Sequence, residues 1–330
     1  MSDRSADRTT PTHTSTFSTP RVSLGAPPEV RPISGREFDL LQNLIEQESG
    51  IHLHSGKKAL LVGRLSRRLR ELRLASFGAY YRLLREDEGE RSTLVERICT
   101  HETAFFRESG QFELLERQVL PAWSLQANRG DRPRRIRAWC AGCSTGEEPY
   151  SLAMVLLAQF PRGSGWELEI TATDVSASVL KRARSGIWPL EGSDKIPDPH
   201  LKRFMLRGIG SRAGTIKAGK EIRKLIRFEQ LNLSHDTYAV RGRFDLIFCR
   251  NVLIYFKKES RLRVIDRLLD HLESSGLLFL GHAESLWGHD ADVRSVIPAV
   301  YALGNEGGSR CAGSAAEGGA LGARCARSRG

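Results

Sequence analysis

Apolar residues recur at helical steps along the first third of the chain and gather into short strand-like runs along the rest. Phe38, Leu41, Leu44 and Ile45 form the first helical stripe. Ser34 and Glu37 stand ahead of it at capping-box spacing, and Gly50 suits its end. Leu61, Leu65, Leu69 and Leu72 mark one face of a second helix. Its other faces carry Arg64, Arg67, Arg68, Arg70 and Arg73, with Glu71 alone opposing them. Residues 77–84 and 93–99 add two shorter helices. The pattern predicts a helical domain over 33–118 and a linker over 119–133.

From Arg134 the period changes. Residues 136–140, 168–173 and 244–249 read as buried strands, with 147–160, 176–184 and 260–272 as helices. Residues 276–281 and 300–303 read as a closing antiparallel pair at the sheet edge. This alternation predicts an α/β domain over 134–303, built on a parallel sheet with right-handed crossovers. It stops between Trp188 and Asn232, where Gly208, Gly210, Gly214 and Gly219 punctuate β-like runs such as 225–228. A small antiparallel β insertion over 187–228 is expected there.

The two ends lack any hydrophobic period. Residues 1–30 hold 15 Ser, Thr or Pro and residues 304–330 hold eight Gly, so 1–32 and 304–330 read as disordered tails. Between them the composition is that of a globular protein. No stretch approaches the roughly 18–20 apolar residues of a membrane span, and no signal-peptide core opens the chain. Cytoplasm is the expected compartment and a monomer the expected state. The net charge of +11 admits three readings: solvated basic faces, nucleic acid, or an acidic protein partner.

Ligands of open α/β sheets bind outside the carboxyl ends of the strands. Three expected strand ends carry suitable groups. The first is the turn from Ala141 to Tyr150, where Gly142 and Gly146 let backbone approach a ligand. The second is Asp174, placed to accept hydrogen bonds from ribose hydroxyls, though it reads also as a helix N-cap. The third is Arg250-Asn251-Val252-Leu253-Ile254-Tyr255-Phe256. The G-x-G-x-x-G and P-loop patterns are absent, and Glu147 and Glu148 are poor company for a pyrophosphate. They suit a cationic ligand such as S-adenosylmethionine.

Five segments together resemble the chemotaxis receptor methyltransferases, the CheR-type glutamate O-methyltransferases. They are Thr103-Ala104-Phe105-Phe106-Arg107, the turn from Cys143 to Ser151, Ala172-Thr173-Asp174, Asn232-Leu233, and the run from Phe248 to Phe256. Leu278-Phe279-Leu280-Gly281-His282-Ala283-Glu284 adds what looks like the family's closing strand. The resemblance implies a Rossmann-like class I methyltransferase sheet, an N-terminal all-helical domain and a small β subdomain. It implies S-adenosylmethionine contacts at Thr103, Arg107, Glu147, Asp174, Asn232, Leu233, Arg250 and Asn251. His101 stands where the family usually has Asn and is kept as a further contact. The implied activity is methyl ester formation on glutamates of methyl-accepting chemotaxis receptors, with Arg107 and Tyr255 as catalytic residues.

Other readings weigh less. Trp139-Cys140-Ala141-Gly142-Cys143 mimics a thioredoxin site, yet it sits inside the expected ligand turn rather than at a helix start. No metal is expected: that Cys pair has no second Cys/His pair, and Phe105 stands where a zincin helix needs its second His. The arginine-rich helix is either a solvated face or the complement of an acidic receptor helix. A nucleic-acid partner is not expected, because the 251–255 run is unlike the N-P-P-Y motif of amino-methylating enzymes.

Overall fold

The structure is a computed structural model that describes residues 28–286, 289 and 292–304; nearly all of both expected tails lies outside the described residues. Four helices form the N-terminal unit: α1 (Gly35–Ser49), α2 (Lys58–Glu71), α3 (Phe77–Glu86) and α4 (Glu88–Ile98). The capping box is formed, with Ser34 Oγ accepting from Glu37 N at 3.2 Å and Glu37 Oε2 accepting from Ser34 N at 2.9 Å. Glu37 Oε1 also accepts from Gly78 N at 2.6 Å, which ties α1 to α3. Leu61, Leu65 and Leu69 are buried together with Leu41, Ile45 and Tyr80, so each helix turns its apolar stripe inward.

The arginines of α2 are sorted by the fold. Arg68 donates from Nε to Glu90 Oε1 at 2.9 Å, and Tyr80 OH donates to the same oxygen at 2.8 Å. Arg67, Arg68 and Arg97 all pair with Glu71. Arg64 reaches the carbonyl of Ile98 and the Thr100 hydroxyl. Arg67, Arg70 and Arg73 keep exposed positions.

Residues 109–129 depart from the expectation of helical domain and linker. α5 (Ser109–Leu114), a π-helical turn (Leu115–Val119) and α6 (Leu120–Arg129) follow one another as helix. Pro121 has no N–H to donate, and the wide turn stands just before it. Phe112, Leu115, Leu120 and Trp123 belong to the sheet's core cluster rather than to that of α1–α4. α6 occupies the span expected as a linker, and helical periodicity over 33–118 did not show which core α5 covers.

The sheet has seven strands: β1 (Arg135–Ala141), β2 (Glu167–Asp174), β6 (Ile226–Gln230), β7 (Phe244–Cys249), β8 (Leu272–Leu280), β9 (Val293–Ile297) and β10 (Val300–Leu303). Their order is β6-β2-β1-β7-β8-β10-β9. The chain runs outward from β1 to β2 and β6, then returns to β7 on the other side of β1. β10 pairs antiparallel with both β8 and β9, so β9 takes the edge position expected of 300–303. α7 (Glu147–Gln159) is buried along most of its length on one face, and α11 (Lys258–Asp270) covers the other.

The β insertion is smaller than 187–228. β3 (Ile187–Pro189), β4 (Met205–Arg207) and β5 (Thr215–Ala218) form an antiparallel sheet in the order β3-β5-β4. α8 (Ala177–Ser185) leads into it, α9 (Asp198–Phe204) lies within it, and α10 (Lys220–Arg223) leads out. Residues 226–228, expected inside it, belong to β6, which pairs parallel with β2. A short apolar run does not tell a parallel edge strand from an antiparallel hairpin.

Removing the Glu90 carboxylate leaves Tyr80 without its partner and Arg68 with Glu71 alone. Glu90→Ala is expected to destabilise the protein by about 2–3 kcal/mol, below the 3–5 kcal/mol of a fully buried pair because Arg68 is partly solvated. Arg67→Ala, at a side chain 80% exposed, should stay within about 0.5 kcal/mol. Chemical denaturation of the two variants measures both, and equal costs would show that the Arg68–Glu90 pair is no more than a surface contact.

Candidate functional site

The chain reverses direction between β1 and β7, and a cleft of about 950 Å³, partly open to solvent, lies at the carboxyl ends of the strands there. After β1, Gly142 adopts φ +85°, and a Cβ on it would lie 2.4 Å from Val252 Cγ2. Backbone therefore reaches the cleft where any side chain would collide. Its N–H and that of Cys143 both donate to the Thr173 carbonyl, which locks the turn onto the end of β2.

Asp174 closes β2 and is buried. Its Oδ2 accepts from Ser144 N at 2.9 Å and its Oδ1 from Ser176 N at 3.0 Å. Ser176, not Asp174, caps α8, its hydroxyl accepting from Val179 N. Each carboxylate oxygen of Asp174 keeps a lone pair for a ligand hydroxyl. Burial pushes the Asp174 carboxyl above its usual range, and the two backbone N–H groups only partly offset this. His101 stands close by. Its Nε2 is buried with no hydrogen-bond partner among the described residues, and burial lowers its pKa against the pull of Asp174.

At the end of β7, the Arg250 side chain is only 2% exposed and pairs with Glu108 at 3.1 Å and Glu148 at 3.4 Å. It also donates to the Arg107 carbonyl. Burial alone would raise the Glu108 carboxyl, but Arg250 and the His282 N–H hold it low. Glu148 is raised by its burial, which Arg250 does not fully offset. Glu284, also buried, accepts from Asn251 N at 2.8 Å, Gly281 N at 2.7 Å and Ile254 N at 3.2 Å, and so fixes the loop after β7. Phe106, Glu108, Ser144 and Asn251 hold positive φ, four of the six non-glycine cases among the described residues. Backbone strain is thus concentrated at this cleft.

His101, Thr103, Arg107, Asp174, Asn232, Leu233, Arg250, Asn251 and Tyr255 all line the cleft. Glu147 does not: its carboxylate turns aside to accept from Thr145 Oγ1 at 2.7 Å, and Glu148 faces the cleft instead. Two adjacent acids at a helix start point in different directions, which residue type alone does not resolve. The Asn232 amide is committed elsewhere, donating to the Glu48 carbonyl at 2.7 Å and accepting from Ser234. Glu108 and Glu284 are the residues that sequence reasoning missed. Glu284 closed a recognised string, while Glu108 sits one residue beyond another.

Cys140 and Cys143 are buried free thiols, both raised well above the usual range by burial first of all. A redox couple needs the opposite shift.

A strand order with the last strand inserted antiparallel beside the edge, together with a glycine turn and strand-end acid at the reversal point, describes a Rossmann-like methyltransferase. The profile described as "CheR methyltransferase, SAM binding domain" matches residues 101–301, and "CheR methyltransferase, all-alpha domain" matches 36–99. Chemotaxis protein methyltransferase 2 of Pseudomonas aeruginosa is 40% identical over 265 residues, covering 80% of this chain and 92% of its own. The chemotaxis protein methyltransferase of Escherichia coli is 38% identical over 256 residues, covering 77% and 85%. The chain belongs to the CheR methyltransferase family, and it is an S-adenosylmethionine-dependent methyltransferase of chemotaxis.

Two outcomes follow for ligand binding. Charged hydrogen bonds contribute roughly 1.5–3 kcal/mol each, so Asp174→Ala should weaken S-adenosylhomocysteine binding at least about a hundredfold in calorimetry. The same carboxylate must be ionised to accept from hydroxyls, and its pKa is raised. Wild-type affinity should therefore be full at neutral pH and decline on acidification, at a pH above the ordinary Asp value of about 3.9. Unchanged affinity in the variant would leave Asp174 a purely structural anchor of the turn. The Cys140→Ala, Cys143→Ala double variant, by contrast, should bind within about threefold of wild type. Complete loss of binding with the fold retained would contradict an inert packing role for the thiols.

Proposed function

We propose that the protein transfers a methyl group from S-adenosylmethionine to glutamate side chains of methyl-accepting chemotaxis receptors, giving glutamyl methyl esters and S-adenosylhomocysteine. The observation that carries this is the contrast between two arginines of one cleft. Arg250 is buried and neutralised by Glu108 and Glu148. Arg107 is half-buried, donates to the Glu102 carbonyl at 3.0 Å, and has no carboxylate partner among the described residues. It is the cation left for an incoming carboxylate.

The residues present fit the cofactor. Asp174 offers both oxygens to vicinal hydroxyls, the orphaned His101 Nε2 faces the same space, and the missing Cβ of Gly142 leaves room for close approach. Glu148 places an acid where a cationic ligand is welcome. When bound, S-adenosylmethionine supplies a methyl group on a positively charged sulfur. Arg107 orients the glutamate carboxylate, and Tyr255, on the loop fixed by Glu284, confines it. A bond forms between the carboxylate oxygen and the methyl carbon as the carbon–sulfur bond breaks, its electron pair staying on sulfur. Opposite charges cancel and no proton moves. An ordinary Glu, with a pKa of about 4.3, is already ionised at neutral pH, so no general base is required. What the site contributes is alignment and exclusion of water.

The relatives named above are chemotaxis methyltransferases, which supports a receptor as the acceptor and the cytoplasm as the setting. The exposed Arg67 and Arg70 of α2, with Arg73 just after it, suit an acidic receptor helix, whereas Arg68 serves the fold.

With tritiated cofactor, label should pass to receptor-containing membranes and be released as methanol by base; label passing instead to RNA would overturn the reading. Arg107→Ala should lower the rate more than Tyr255→Phe. At saturating cofactor neither rate should rise between pH 6 and 9, and a rise tracking one ionisation would introduce a catalytic base and sink the mechanism.

A further inference from the structure

Two of the arginines on α2, Arg67 and Arg68, are answered by Glu71 and Glu90. A second basic region is answered at one position only. At the free edge of β6, Arg184, Lys220, Arg223, Lys224 and Arg227 line one depression of about 880 Å³, and its lining includes no carboxylate. Among the described residues Arg227 alone of the five has ion pairs, to Glu169 at 3.0 Å and Glu229 at 3.9 Å. Arg223 Nε is buried with no hydrogen-bond partner among them. Like charges gathered on one surface repel, so the arrangement costs stability until an anion answers it.

The register shows what else this edge offers. Ile170 N donates to the Leu225 carbonyl, and Leu231 N to the Asp174 carbonyl. Odd-numbered positions of β6 therefore face β2, and the backbone groups of Ile226, Phe228 and Gln230 face outward. Arg184 already donates to the Phe228 carbonyl at 2.8 Å, which guards the edge against another strand. One such contact suffices for that. The cations come instead from three successive parts of the fold: the end of α8, α10 with Lys224 after it, and β6. They line one depression, and five cations gathered there complement a segment carrying several carboxylates.

Position adds a length. β6 continues into Leu231, Asn232 and Leu233, which line the cleft. Arg227 to Leu231 is four strand steps, about 13 Å at roughly 3.3 Å per residue. We propose that this depression docks an acidic segment of the methyl-accepting protein, separate from the glutamate being modified and joined to it by a few extended residues. The identity of that partner rests on the proposed function; the affinity for acidic peptide does not.

Lys220→Glu with Lys224→Glu tests it, since both side chains are exposed and lie outside the cleft. Arg82→Glu with Arg85→Glu reverses equal charge on α3, at exposed positions outside both basic surfaces, as a control. Fluorescent poly-L-glutamate at low salt should bind the first variant at least tenfold more weakly than wild type, and clearly more weakly than the control. With receptor membranes, KM should rise severalfold while kcat and S-adenosylhomocysteine affinity hold. Equal binding by wild type and the first variant would overturn the proposal, as would equal losses in both variants, which would make net charge the cause. Tighter binding of a single-stranded RNA than of poly-L-glutamate would assign the patch to nucleic acid and overturn it too. If no receptor is methylated, the poly-L-glutamate result still decides the docking site, while an unchanged KM on a methylated receptor would detach it from the substrate.

Discussion

A guanidinium almost cut off from water has to be neutralised by the chain that buries it, and Arg250 sets that requirement here. Its two carboxylates come from distant parts of the sequence: Glu108 follows the segment that crosses from α4 to α5, and Glu148 opens α7. Arg250 itself ends β7. The charge therefore fastens together the crossing segment, the glycine turn and the loop after β7. Losing both acids would strand a buried ion, an expensive defect. The positive-φ conformations of Phe106, Glu108 and Asn251 persist because this network leaves the chain no relaxed alternative.

The charges of the molecule divide into three kinds. Some are spent on the fold, as Arg68 is on Glu90 and Tyr80. Some hold the cleft in shape, as Arg250 does with its two acids. A third kind keeps a group available: Arg107, the Asp174 oxygens and the cations along β6. A net charge of +11 did not distinguish these, because pairing is a property of three-dimensional neighbours.

What the sequence disclosed follows the same line. Local rules were legible: Ser34 with Glu37, the leucine stripe of α2, strand ends within one residue of Ala141 and at Asp174 and Cys249, and the Gly142 turn. The cleft residues were legible chiefly because their strings resemble a family. Assignments that depend on distant partners were not. α5 and α6 have a helical pattern that is silent about which core they cover, and Ile226–Gln230 alternates like a hairpin while pairing in parallel. Glu147 and Glu148 look equivalent until one binds Thr145 and the other Arg250. Glu108 escaped notice because its importance lies wholly in what it neutralises.

The cleft is lined from both units, with Ser49, Ile51 and Thr100 on one side and Gly142, Asp174 and Asn251 on the other. The links between the units include Asn232 to the Glu48 carbonyl, His52 N to the Tyr255 carbonyl, Gly50 against Phe256, Lys257 paired with Glu46 at 2.9 Å, and Ser178 N donating to Glu96 at 2.9 Å. A molecule held between them adds its own binding free energy to that joint, about 2.7 kcal/mol at a hundredfold excess over Kd. The two units then unfold as one cooperative body when the site is filled and more independently when it is empty. A cofactor bound in the cleft therefore holds the helical unit more firmly against the sheet.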